Sequence, residues 1–284
     1  MSYVNMKEML DKASKEGYAV GAFNIVNFLT AQAVVDAAQE LKSPLILQTS
    51  TSTVKQIGIQ EMAEMLIPIA KRATVPVAIH LDHCTDVEFV KKCVDAGWSS
   101  VMIDASKQPL EENIRQTKEI VDYTKGKNVT VEGELGAIVG VEDEIVVKDG
   151  EEAFASVEQS REYLSATNID AFAPAIGTAH GLYKGEPRVD FNRFQEIKAI
   201  SPCPVVIHGG TGLAPEVFKK LIVLGATKIN ISTAIKIAYC GGMKDYTTAH
   251  PEENNPLKLD KYVIEQVKKV AKEHMMLFGS VNRV

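Results

Sequence analysis

The chain has 284 residues, 45% of them hydrophobic, enough to bury a sizeable core; at this length either two domains or one large barrel is expected. Its 31 Lys and Arg against 37 Asp and Glu leave a formal net charge of −6 without any basic cluster, which speaks against nucleic acid or an anionic membrane as partner and for a small molecule. No apolar run approaches the roughly 18 residues that span a bilayer, the opening Met1 to Glu8 has no basic segment followed by an apolar one, and Cys84, Cys93, Cys203 and Cys240 lack Cys-x-x-Cys spacing, so a cytoplasmic protein with reduced thiols is expected.

Apolar and β-branched runs alternate with stretches of helical period. The first strand is expected at Tyr18–Ile25, followed by a helical pattern over 29–41; the next pairs are Pro44–Thr49 with 59–72, Pro76–Leu81 with 85–96 and Ser100–Asp104 with 109–125. Asn128–Glu134 precedes 157–167, Ile169–Ala175 precedes 191–200, Pro204–His208 precedes 214–223, and Thr227–Ile231 precedes a last helix near 257–278. Eight β/α units with no Gly-, Pro- or Ser-rich linker predict an α/β fold, a single (β/α)8 TIM barrel over residues 1–284 rather than two open sheets. Two connections, 135–155 and 176–187, are longer than a compact barrel needs, and both follow strands. A third stretch, Cys240 to Pro256, contains Gly241-Gly242 and an Asn-Asn-Pro turn and reads as irregular, a candidate oligomer contact.

Polar residues collect where these strands end. Asn24 ends the first, Ser50 follows the second, Asp82 and His83 follow the third, Asp104 ends the fourth and Glu134 the fifth. His180 lies in the loop after the sixth, His208 ends the seventh, and Asn230, Ser232 and Thr233 close the eighth. In a barrel these converge on one mouth. His83, His180 and His208 offer three neutral imidazoles from fixed positions, a plausible Zn²⁺ set with a fourth position left for a substrate oxygen. Asp104 and Glu134 read either as a second metal position or as groups that orient the histidines, and His80 either as core or as support for the site. His250 and His274 read as solvent-facing.

The run His208-Gly209-Gly210-Thr211-Gly212 and the later Asn230-Ile231-Ser232-Thr233 occupy the loops where barrels hold phosphate, and Gly181 and Lys184 add a glycine and a cation from the sixth loop. A phosphorylated substrate is expected. No strand–GxGxxG–helix unit or GxxxxGK[ST] loop is present, so neither a dinucleotide nor a nucleoside triphosphate is inferred.

These motifs resemble the class II, metal-dependent ketose-bisphosphate aldolases, in particular the short bacterial fructose-1,6-bisphosphate and tagatose-1,6-bisphosphate branch. The resemblance runs from Tyr18-Ala19-Val20-Gly21-Ala22-Phe23-Asn24 through Ala78-Ile79-His80-Leu81-Asp82-His83, Met102-Ile103-Asp104-Ala105-Ser106 and Val131-Glu132-Gly133-Glu134. It continues through Gly177-Thr178-Ala179-His180-Gly181 and His208-Gly209-Gly210-Thr211-Gly212 to Leu277-Phe278-Gly279-Ser280. It implies Zn²⁺ on His83, His180 and His208, with Asp104 and Glu134 as an alternative position for the ion. Asp82 matches the family's acid/base at the C4 hydroxyl, and Glu142 stands where the family places the carboxylate that exchanges the proton on the dihydroxyacetone phosphate carbon. Gly181, Lys184, Gly209, Thr211, Asn230, Ser232 and Thr233 match a phosphate site with a monovalent cation, Na⁺ or K⁺, and Asn24 and Ser50 match substrate-positioning groups.

The implied reaction is zinc-dependent, reversible cleavage of fructose 1,6-bisphosphate to dihydroxyacetone phosphate and glyceraldehyde 3-phosphate, by a homodimer or homotetramer. Cleavage of C3–C4 leaves a carbanion that a metal can stabilise as an enediolate. The other solution is a Schiff-base lysine, but Lys228 opens the eighth strand, at the end away from the chemistry, and Lys184 reads as a phosphate contact. Two positions depart from the family pattern: Ala234 stands where an acidic residue is usual, and Lys107 where a histidine is. Tagatose 1,6-bisphosphate, or another aldehyde partner, is therefore the alternative within the class. From outside it, a metal-dependent barrel hydrolase calls for His-x-His at the end of the first strand, where Asn24 stands, and a non-catalytic sugar-phosphate sensor has only Ala234 in its favour.

Overall fold

The computed structural model describes residues 2–142, 145–147, 154–181, 183 and 187–284. Its strands in chain order are β1 (Val20–Asn24), β2 (Leu45–Ser50), β3 (Val77–Cys84), β4 (Ser100–Ile103), β5 (Thr130–Leu135) and β6 (Val139–Glu142). They continue with β7 (Ile145–Val147), β8 (Ala171–Pro174), β9 (Ala179–His180), β10 (Val205–Ile207) and β11 (Ala226–Ile231). β1, β2, β3, β4, β5, β8, β10 and β11 close into a barrel in which every neighbouring pair is parallel. These are the eight strands expected from the sequence, shifted by a few residues at their ends. β6, β7 and β9 form a small separate sheet.

The helices are α1 (Lys7–Glu16), α2 (Phe28–Leu41), α3 (Thr51–Ile57), α4 (Ile59–Arg72), α5 (Val87–Ala96) and α6 (Leu110–Thr124). They continue with α7 (Val157–Thr167), α8 (Phe191–Ile200), α9 (Pro215–Val223), α10 (Thr233–Ala249) and α11 (Pro256–Leu277). Side-chain caps set several starts: Asn27 and Thr30 form a reciprocal capping box on α2, and Asp86, Ser156, Asp190 and Asn255 cap α5, α7, α8 and α11. Among the described residues no helix is long and apolar enough to cross a membrane.

The stretch from Cys240 to Pro256 corrects the expectation of an irregular segment, because α10 runs unbroken to Ala249 and only 250–255 are non-helical. A Cβ on Gly242 would stand 3.2 Å from Gln266 Cγ, so glycine lets α10 lie close against α11. That packing outweighs the roughly 1 kcal/mol that a glycine costs inside a helix.

Both faces of the barrel strands are covered, as parallel sheets require. Outside, Phe23, Leu47, Ile79, Val101, Phe172 and Ile229 belong to the core shared with the helices. Inside, Val20, Ala22, Ile46, Ala78, Ala171 and Val206 pack with Met9, Leu10 and Ala13 of α1. The N-terminal segment pairs with the start of β3, Val77 N donating to Ser2 O at 2.7 Å, so α1 plugs the end of the barrel where the strands begin. Apolar residues therefore fill that end, and further along most of the strands the inward positions turn polar, Ala22 giving way to Asn24, Ile46 to Gln48, Ala78 to His80 and Val206 to His208.

Candidate active site

Strand alternation decides which side chains enter the barrel. The inward series on β1, β2, β3, β5 and β11 run Val20, Ala22, Asn24; Ile46, Gln48, Ser50; Ala78, His80, Asp82; Thr130, Glu132, Glu134; and Lys228, Asn230. Residues paired across strands share a face: Gln48 lies opposite His80, Ser50 opposite Asp82, and Ala22 opposite Asn230. Asp82 and His83 are neighbours in sequence and should point to opposite faces. Both reach the site because the β3–β4 register shifts between Leu81 and Cys84 and His83 takes a left-handed φ of 46°. Such irregularities re-aim a side chain.

One ligand atom each from His83, His180 and His208 lies within 4.8 Å of the other two, and the same holds for His83, Asp104 and Glu134; all five residues are buried. His83 Nδ1 is 2.7 Å from Asp104 Oδ2, while Asp104 Oδ1 accepts from Ser106 N at 3.1 Å and Ser106 Oγ at 2.6 Å. His208 Nε2 is 2.9 Å from Glu132 Oε1, and its Nδ1 lies 3.2 Å from Glu134 Oε2 without hydrogen-bond geometry. Each ring thus has one nitrogen anchored to a carboxylate, leaving His83 Nε2 and His208 Nδ1 buried with no hydrogen bond. Buried imidazole nitrogens of this kind, with the opposite nitrogen on a carboxylate, are what a divalent metal needs. The residues fit a metal.

Electrostatics separate the groups. Burial pushes His83 down, but Asp82, Asp104 and Glu134 outweigh it and hold its pKa well above the usual value. For His208, burial and the charge of His83 are outweighed by the hydrogen bond to Glu132 and the adjacent Glu134 carboxylate, giving about 8. Burial, aided by the charges of His83 and His208, drives His180 well down. Glu134 is raised by burial and by Asp104. The burial cost on Asp104 is overcome mainly by His83, and that on Asp82 by the charges of His83 and Lys228, so both carboxyls stay below the ordinary range. His80 is lowered to about 3, by burial first and by Lys228 second.

Asp82 is held at both oxygens: Asn24 Nδ2 donates to Oδ2 at 3.0 Å and Asn230 Nδ2 to Oδ1 at 3.2 Å. Gln48 Nε2 in turn donates to Asn24 Oδ1 at 2.8 Å. Ser50 caps α3, accepting from Thr53 N. The glycine loop lies alongside. A Cβ on Gly209, whose φ is +68°, would fall onto the backbone of Ala179, and Tyr183 Oη donates to Gly209 O at 2.8 Å while accepting from Ala179 N at 3.0 Å. Thr211 Oγ1 accepts from Ala234 N at 3.3 Å, and Ser232 and Thr233 stand at the start of α10, with Ser232 Oγ buried and without a hydrogen bond. Gly181 directly follows His180, with φ +84°.

The structure thus gathers Asn24, Ser50, Asp82, His83, Asp104, Glu134, His180, His208 and Asn230 at one mouth, with Gly181, Gly209, Thr211, Ser232 and Thr233 on its rim. Glu142 ends β6, and Lys184 lies outside the described residues. Beside Asp104, a cavity of about 270 Å³ is lined by Thr85, Ala105, Lys107, Gln108 and Gln116. Two corrections concern residues read as distant or solvent-facing. Lys228 is an inward residue whose ammonium lies 2.9 Å from Glu132 Oε2 and 2.8 Å from Asn230 Oδ1, within the polar network rather than away from it. His274 packs among Phe23, Phe218 and Phe278. Glu132 was not anticipated at all, although counting back two residues from Glu134 along the strand would have found it.

The description "Fructose-bisphosphate aldolase class-II" belongs to the family model that matches residues 4–283. Among solved structures, the YdjI aldolase from Escherichia coli K12 is 32% identical with a TM-score of 0.88, covering 99% of both chains. A candidate fructose-1,6-bisphosphate aldolase from Coccidioides immitis is 28% identical with a TM-score of 0.90, covering 97% of this chain and 96% of its own. The fold is also shared with a fructose-bisphosphate aldolase from Campylobacter jejuni at 21% identity and a TM-score of 0.86, covering 100% of this chain and 97% of that one.

Proposed function

This chain belongs to the class II fructose-bisphosphate aldolase family, and from that premise we propose that it uses Zn²⁺ to cleave fructose 1,6-bisphosphate reversibly into dihydroxyacetone phosphate and glyceraldehyde 3-phosphate. The protein is a metal-dependent class II ketose-bisphosphate aldolase acting on a small sugar phosphate. The observation that carries the finer reading is the three-imidazole set of His83, His180 and His208, whose donor chemistry suits zinc, beside a carboxylate held at both oxygens.

When bound, the metal supplies Lewis acidity at the substrate carbonyl and stabilises the negative charge left on cleavage. Asp82, ionised and fixed by Asn24 and Asn230, takes the C4 hydroxyl proton as the C3–C4 bond breaks. Glu142 returns a proton to the carbon that becomes the hydroxymethyl end of dihydroxyacetone phosphate. Asp104 orients His83 and, with Glu134, offers the metal a second position. Gly181, Lys184, Gly209, Thr211, Asn230, Ser232 and Thr233 bind the phosphate of the dihydroxyacetone half together with Na⁺ or K⁺. The unpartnered Ser232 Oγ at the start of a 17-residue helix is in keeping with an anion there. Asn24 and Ser50 position the rest of the sugar. The whole chain acts as one catalytic unit in a cytoplasmic homodimer or homotetramer.

A second reading within the class has its own support. Ala234 supplies no carboxylate at the start of α10, and Lys107 lines a cavity beside Asp104, so tagatose 1,6-bisphosphate or a different aldehyde is the alternative substrate half. Purified protein of known metal content, assayed on fructose and tagatose bisphosphates with and without chelator, separates these readings. Cleavage of the fructose ester that disappears on metal removal and returns with Zn²⁺ is expected. Full activity after complete metal removal would reject the metal mechanism, and cleavage of the tagatose ester alone would move the substrate assignment.

A further inference from the structure

The charged pair beneath the site is not part of the chemistry just described. Lys228 and Glu132 are both fully buried in the barrel, and burying such a pair is not in itself a strong source of stability. Its geometry suggests another use. The ammonium donates to Asn230 Oδ1 at 2.8 Å and to Glu132 Oε1 at 3.2 Å, and it lies 2.9 Å from Glu132 Oε2 as an ion pair. Each contact leads on to a group with a task at the mouth.

Through Glu132, the arm reaches His208. The same Oε1 is 2.9 Å from His208 Nε2, so the carboxylate holds the proton on Nε2 and leaves Nδ1 with its lone pair directed at the metal cluster. Through Asn230, the arm reaches Asp82. An ammonium cannot face an amide NH₂ group, so Oδ1 of Asn230 must turn to Lys228 and Nδ2 to Asp82, which is the observed arrangement. Without the ammonium, Asn230 Oδ1 loses its donor and the amide is held only at its Nδ2 end, by Asp82.

We propose that Lys228 is a positioning residue for aldol cleavage: one buried ammonium sets both the metal-facing nitrogen of His208, by way of Glu132, and the orientation of the proton-transferring Asp82, by way of Asn230. This rests on the aldolase reading above and assigns it a residue directly behind Asn230 and Glu132. The partners of its ammonium are Glu132 and Asn230, neither of them a member of the metal cluster.

Lys228→Met and the double variant Lys228→Met/Glu132→Gln test it. In the first, Glu132 is left as an uncompensated buried charge, so a loss of stability is expected whatever the role of the lysine. The second removes both charges and regains stability relative to the first, while the introduced glutamine keeps an acceptor near His208 that is weaker than a carboxylate. Zn²⁺ affinity, measured by chelator competition with the metal alone, is expected to fall about ten- to a hundred-fold in both variants. In both, kcat is expected to fall at least about ten-fold with KM little changed, the pattern of a lost transition-state interaction. Parental zinc affinity and parental kcat in the double variant would overturn the proposal and leave only charge compensation. If Lys228→Met does not fold, the double variant carries the test alone. A parent protein that binds Zn²⁺ but cleaves no ketose bisphosphate would refute the aldolase reading instead, a result distinct from unchanged variants of an active parent.

Discussion

Gly133→Ala probes how the strand that carries both inner carboxylates is held. Glu132 and Glu134 face into the barrel, so Gly133 between them faces the helices. An added Cβ there would fall onto Tyr163 Oη and stand 3.1 Å from Tyr163 Cζ and 3.4 Å from Ile169 Cδ1. Tyr163 is fully buried, its hydroxyl shares a hydrogen bond of 2.8 Å with Thr117 Oγ1, and its ring lies 5.8 Å from that of Phe172, so it has little room to withdraw. Overpacking of this kind costs about 1–3 kcal/mol. Tyr163→Phe alone loses one buried hydrogen bond, about 1 kcal/mol, while Thr117 retains Asn113 Oδ1 at 3.2 Å. Combining the two removes the atom that collides, so the double variant should be more stable than the sum of the single losses by about 1 kcal/mol or more. Urea unfolding of the four proteins measures this. Single losses that add to within about 0.5 kcal/mol would refute the argument that the hydroxyl and the missing Cβ share one space. Zn²⁺ affinity should follow the same order, because a displaced β5 carries Glu132 and Glu134 with it.

Acid should destabilise the fold through His80. Its folded-state pKa of about 3 lies below the unfolded value, so its contribution is complete above pH 6.5 and is lost as pH falls toward 3; the loss reaches about 2 kcal/mol by pH 5. His80→Gln should flatten that part of the stability-against-pH curve, and an unchanged slope would count against the assignment. Glu142→Ala should bind metal as the parent does yet exchange the dihydroxyacetone phosphate proton at least about ten-fold more slowly. Normal exchange, followed by NMR in D₂O, would remove Glu142 from the mechanism. Ala234→Asp should alter the ranking of aldehyde acceptors in the condensation direction. If competition between acceptors gives parental ratios, that position does not select the aldehyde.

The barrel was legible because eight apolar runs of strand length each lead into a helical period, and a parallel strand buried on both faces can scarcely look otherwise. The ends of those strands also named most of the mouth, since parallel strands deliver their C-termini to one side. What was hidden had local causes. α3 has only seven residues and begins on the residue after β2, while α10 contains Gly241 and Gly242 and is secured by packing against α11 that no local pattern records. The β6–β7–β9 sheet consists of strands of two to four residues. Lys228 was set aside because it opens the eighth strand and Glu132 was passed over beside Glu134, whereas strand period two, counted back from Asn230 and Glu134, places both inside, in the network beneath the mouth. That His83 shares the site with its neighbour Asp82 depends on a register shift and a left-handed residue, which a regular alternation does not foretell.

The short sheet outside the barrel bears on how such an enzyme can be altered. Val139 and Gly140 pair with Ala179 and His180, and a Cβ on Gly140 would fall onto the carbonyl oxygen of His180. The two long loops are therefore one transplantable part. A graft that brings in a foreign fifth-strand loop without its matching sixth-strand loop would break this register beside a histidine of the metal cluster, and would damage the recipient before any difference in substrate preference could be read. Recombination at these loops succeeds as a pair, with Gly140 kept as glycine.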